Sequence, residues 1–118
     1  MQVYVVALPS ASRTTTQTQT VQLSHAKGAV AVLDMTVVGT GSVTLTINGY
    51  DAASGKSWNI LTGAAVVANS TNVYRIYPGL TAVANTTVSD VVPYTLQYVV
   101  TANNANPATY SLGISLIP

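Results

Sequence analysis

Apolar and polar residues alternate along most of this chain, most regularly over residues 42–61, SVTLTINGYDAASGKSWNIL. Val43, Leu45 and Ile47 are separated by threonines, the period of two that turns one face of a strand toward a core. A second run containing Trp58, the only tryptophan, follows a polar stretch. Asn48-Gly49 has the composition of a tight hairpin turn, but a turn there would leave Asp-Ala-Ala-Ser-Gly-Lys in mid-strand. The pattern therefore predicts one strand running through Gly49, a turn at residues 52–55 and a returning strand, with Trp58 anchoring the core.

Extended to the whole chain, the pattern predicts a strand over residues 3–8, ended by Pro9 and suited to an edge or to exchange between subunits. Residues 10–20, SASRTTTQTQT, are polar and of low complexity. They read equally as a surface linker or as an extended arm that places the first strand on a neighbour. A short strand over 19–24, with Val21 and Leu23 inward, leads to a turn at 25–28. Strands over 29–38 and 73–77 follow, the second stopped by Pro78-Gly79. Residues 61–72 pattern loosely, as loop with a short strand. Residues 81–93 form a long connection with a binding or crossover role, and 80–92 is the one place for a helical turn. The last strands are 94–101, with Tyr94, Leu96, Tyr98 and Val100 on one face, and 109–117, with Tyr110, Leu112, Ile114 and Leu116 on one face. Residues 103–107 read as a hairpin loop between them. About eight short strands with regular turn signals predict an all-β antiparallel sandwich, Ig-like or jelly-roll-like. The arm occupies residues 1–20 and the sandwich domain 21–118.

Composition narrows the function more than the fold. The 118 residues suit one domain, and charged residues make up 6% of them against about 25% in an average soluble domain. The net charge is +1, and Arg13, Lys27, Lys56 and Arg75 are scattered, so no basic footprint for nucleic acid exists. The absence of cysteine removes disulfides and thiolate metal ligands. The longest apolar stretch, 29–38, is interrupted by Asp34 and falls far below the ~20 residues of a spanning helix, so no membrane partner is expected. The opening MQVYVVALPSAS lacks the basic segment of a signal peptide and reads as a strand.

Chemistry-bearing residues are few. There is no glutamate, and Asp34, Asp51 and Asp90 are far apart in sequence. Asp51 reads as a turn residue, Asp34 as a solvent-facing or paired carboxylate within an apolar strand, and Asp90 as a turn residue or intersubunit contact. His25 is the only histidine and reads as a turn residue. No Gly-x-Ser-x-Gly elbow, transition-metal set, calcium loop or phosphate-binding glycine loop is present. The residues therefore predict a non-enzymatic protein without cofactor or metal. Asp51, Gly55, Ser57 and Trp58 match the Asp-box hairpin of sialidases only loosely, with two extra residues between Asp and Gly. Tyrosines with Trp58 have the chemistry of a sugar platform, but Tyr74, Tyr77, Tyr94, Tyr98 and Tyr110 are expected to supply core and interface in a chain without phenylalanine.

From Val43 onward the chain resembles small all-β virion proteins of tailed bacteriophages that decorate or cement an icosahedral head. The likeness rests on the hairpin ending in Ser57-Trp58, on Tyr77-Pro78-Gly79-Leu80, Val83-Ala84-Asn85, Val88-Ser89-Asp90 and Pro93, and on a terminal strand after Pro107. It covers about the last two-thirds of the chain and none of the first 28 residues. The resemblance implies a subunit made in the host cytoplasm that binds the major capsid protein on the exterior of the capsid. It also implies self-association, with a trimer favoured.

Two surfaces are expected to make such contacts. One is the N-terminal strand and arm, with Val3, Tyr4, Val5, Val6 and Arg13; the other is the long connection, with Leu80, Val88, Asp90 and Val92. The arm reading expects the core to stay folded when residues 1–20 are removed. The competing expectation is a carbohydrate- or receptor-binding module of a phage tail or fibre, which requires solvent-facing aromatics in one patch.

Overall fold

The alternating segments fold as strands throughout the computed structural model, which describes residues 3–22 and 26–118. In chain order they are β1 (Val3–Arg13), β2 (Gln17–Gln22), β3 (Gly28–Val37), β4 (Val43–Asp51), β5 (Lys56–Thr62), β6 (Ser70–Ile76), β7 (Thr87–Val88), β8 (Thr95–Ala102) and β9 (Ala108–Ile117). A five-stranded sheet in the order β1-β9-β3-β6-β7 faces a four-stranded sheet in the order β2-β8-β4-β5. All pairings are antiparallel except β6 with β7. The all-β sandwich predicted from periodicity is the observed architecture.

The hairpin of β4 and β5 turns at residues 52–55. Gly55 takes φ +70° there, a left-handed conformation that glycine adopts without Cβ strain. Asp51 closes the turn: Oδ1 accepts the Ala53 N–H at 3.3 Å and Oδ2 accepts the Ser54 hydroxyl at 2.7 Å. Asn48 and Gly49 lie in mid-strand, opposite Asn59 and Trp58.

Strict alternation then builds the core. Val43, Leu45 and Ile47 of β4 and Leu96, Tyr98 and Val100 of β8 point inward from one sheet. Leu33 and Met35 of β3, Tyr74 and Ile76 of β6, and Tyr110, Leu112, Ile114 and Leu116 of β9 meet them from the other. Full burial of such a side chain stabilises by about 1.5–3 kcal/mol.

Four sequence expectations change. Pro9 does not end the first strand, because β1 is at the edge of its sheet and the register shifts between Leu8 and Ala11; a proline is tolerated at a bulge on an edge. The polar segment 10–20 is largely strand: it completes β1 and enters β2, which pairs with β8 from Gln17 to Gln22. Threonine favours strands, and an edge strand needs few inward apolar residues, here Val21. Residues 103–107 do not close a hairpin, since β8 and β9 belong to different sheets and the loop crosses between them. Residues 80–92 hold no helical turn; a bridge between Val83 and Thr87 and the two-residue β7 occupy this stretch. The expected turn at 25–28 and the end of the 19–24 strand fall partly on Leu23, Ser24 and His25, outside the described residues.

Candidate functional site: the outer face of the five-stranded sheet

The two outer faces of the sandwich differ in chemistry. On the four-stranded sheet the outward row runs Thr20, Gln97, Asn48, Asn59, and its neighbour runs Thr18, Val99, Thr46, Thr62. Amides are laddered across it: Asn48 Nδ2 donates to Gln97 Oε1 at 3.2 Å and Asn59 Nδ2 to Asn48 Oδ1 at 3.4 Å. This face is largely polar and internally hydrogen-bonded.

The outward face of the five-stranded sheet is apolar at its centre. One row runs Val6, Gly113, Val32, Val73 and the next Tyr4, Ser115, Val30, Arg75. The phenol of Tyr4 lies where a side chain on Gly113 would stand, so the glycine lets the ring lie across the sheet. Tyr4 nevertheless remains 65% exposed and Val6 58%. Asp34 lies in the adjacent row opposite Ser111 and Thr71 and accepts the Thr71 hydroxyl at 2.9 Å, as expected for a solvent-side carboxylate.

The sequence-selected contact residues divide. Val3, Tyr4 and Val6 are exposed on β1, whereas Val5 packs against the core. Among the described residues no strand pairs with the other flank of β1, which leaves backbone donors and acceptors open for a further strand. Arg13 is engaged within its own chain: Nη1 donates to the Tyr110 carbonyl at 2.7 Å and to that of Ala11, Nη2 donates to that of Pro9, and the guanidinium stands 4.8 Å from the Tyr110 ring centroid. Val88 and Val92 rest on the core, Leu80 is half-buried, and Asp90 is exposed with its carboxylate accepting the Val91 N–H. The long connection is therefore pinned down, by parallel pairing of β7 with β6 and by the Gly79 N–H donating to Ser89 Oγ at 2.9 Å.

Asp34, Asp51 and Asp90 stand on separate elements, and no three His, Cys, Asp or Glu side chains cluster among the described residues. His25 lies outside them. The aromatic expectations split as well. Tyr74, Tyr98 and Tyr110 are buried, and burial raises the pKa of each. Trp58, expected to anchor the core, is 49% exposed instead, and Tyr94 is 65% exposed. Gly49 opposite Trp58 explains the difference: the six-membered ring of the indole lies where a Gly49 side chain would be, which covers backbone at the end of the sheet rather than filling the interior.

Comparison with protein-family models and with curated protein sequences finds no match to this chain.

Proposed function

We propose that this protein is a non-enzymatic structural subunit of a phage virion, of the capsid decoration or cement kind. It sits on the capsid exterior and docks on the major capsid protein and on identical neighbours through β1 and the apolar face around Gly113. The single observation that carries this reading is the asymmetry of the outer faces: one is largely an amide and hydroxyl surface, the other exposes Tyr4 and Val6 beside an open strand edge. An exposed apolar patch rimmed by polar residues marks protein contact, and an open edge adds main-chain hydrogen bonds to it. Low charge suits a lattice in which every subunit meets copies of the same partner, and closed rings of identical copies follow from such repeated contacts. Bound subunits favour the assembled shell by mass action.

Co-sedimentation with purified phage heads, together with light scattering after gel filtration, tests the reading. The wild-type chain is expected to bind heads and to self-associate. Val6→Lys, which sets a charge in the apolar row without touching the core, is expected to weaken both by about tenfold or more at unchanged melting temperature. A monomer that ignores heads, or a Val6→Lys variant that binds as the wild type does, overturns it.

A further inference from the structure

A second surface lies at the end of the four-stranded sheet, away from β1. There the β4–β5 turn and the segment entering β8 enclose an open concavity of about 660 Å³, within the roughly 300–1,000 Å³ of small-molecule sites. Its walls carry Trp58, Tyr94 and Pro93 on the apolar side and Asp51, Ser54 and Lys56 on the polar side. The two rings are among the most exposed large apolar side chains of the chain, yet they converge on one hollow. The Trp58 ring is seated on Gly49, so it is positioned before any ligand arrives and little side-chain freedom remains to be lost on binding. The Asp51 carboxylate is likewise fixed by the Ala53 N–H and the Ser54 hydroxyl. A carboxylate has about four acceptor positions, so capacity for further donors remains. Its pKa is lowered, chiefly by the Ser54 hydrogen bond, so it stays an ionised acceptor to lower pH than an ordinary aspartate.

From these features we infer that the concavity is a saccharide-binding site, with Trp58 and Tyr94 stacking on the C–H faces of pyranose rings and Asp51 and Lys56 hydrogen-bonding their hydroxyls. The ligand chemistry follows from the lining. Aromatic rings beside a fixed carboxylate and an ammonium match a molecule that alternates apolar ring faces with neutral hydroxyls. A single acidic and a single basic group cancel, so the site favours an uncharged sugar over a phosphate or a polyanion. Such a site would give a head-bound subunit a weak, multivalent hold on cell-surface glycans, but it stands independently of the virion reading.

The test uses the full chain and its only tryptophan as reporter. A neutral-glycan array is screened first, and maltohexaose, cellohexaose and chitotetraose are then titrated against Trp58 emission. Saturable binding with a shift in emission is expected for at least one glycan. Tyr94→Ala, at an exposed position outside any strand, is expected to weaken it by about tenfold or more, as loss of one of two aromatic contacts implies, with an unchanged circular dichroism melt. Trp58→Ala is expected to abolish it. An array on which the folded wild-type protein binds nothing overturns the inference, as does glycan binding that Tyr94→Ala leaves intact. If Tyr94→Ala weakens head binding and no glycan binds, the hollow is a protein contact; if Val6→Lys alone weakens head binding, the virion reading stands whatever the glycan result.

Discussion

Tyr98 carries a hydroxyl into the middle of the core, where it meets no hydrogen-bond partner. A buried, unsatisfied polar group costs about 1–3 kcal/mol, so Tyr98→Phe is expected to leave stability unchanged or raise it by about 1 kcal/mol, measured by urea denaturation. Leu112→Ala at the same depth is expected to cost about 2–5 kcal/mol. Glycines give a second residue-scale contrast. A Cβ on Gly49 meets the Trp58 ring, which stands at the surface and would be displaced from its seat toward solvent, whereas a Cβ on Gly28 meets the backbone carbonyl of Ile76. Gly49→Ala is therefore expected to red-shift Trp58 emission at a cost of about 1 kcal/mol, and Gly28→Ala to cost about 2–3 kcal/mol as overpacking does. The burial of Tyr98 was legible in its alternation with Leu96 and Val100. The exposure of Trp58 was not, because the same inward parity holds along the strand even where the facing sheet has ended.

At the scale of elements, β1 decides how the N-terminal segment behaves. It contributes Leu8 to the core, lies along β9 from Val3 to Arg13, and lets Arg13 cover Tyr110. Removing residues 1–20 strips this strand and most of β2, exposing apolar surface on β9 and β8. In place of a folded core that lacks its arm, the truncated chain is expected to lose a large part of the ~5–15 kcal/mol that such domains possess. Circular dichroism melting and aggregation on purification check this. Substitutions such as Val6→Lys are for that reason the sound probe of docking. A polar TTTQTQT run carries no core-facing pattern, so its strand character became visible only once β8 supplied a partner.

For the molecule as a whole, the buried tyrosines set the response to alkali. An unfolded tyrosine loses its proton near pH 10, whereas burial keeps Tyr74, Tyr98 and Tyr110 protonated to higher pH. Above pH 10 the unfolded chain therefore binds fewer protons than the folded one, and stability falls as pH rises. Full stability up to about pH 10, a steady decline beyond it and a late, cooperative rise of phenolate absorbance from these three residues are expected. Topology adds a kinetic consequence. Of the neighbouring strands only β4–β5 and β6–β7 are consecutive in sequence, and such non-local pairing places folding in the millisecond-to-second range. The sequence by itself determined most of the strands, the turn at residues 52–55, the inward residues at the middle of the sheets and the all-β class, because periodicity, β-propensity and turn chemistry act over a few neighbouring residues. Only the tertiary structure decided that β8 and β9 part to different sheets, that β1 and β2 complete both sheets, and that Tyr4 and Trp58 end at the surface. Those outcomes depend on which distant strand supplies the partner and on where the facing sheet stops, and neither is written in a local pattern.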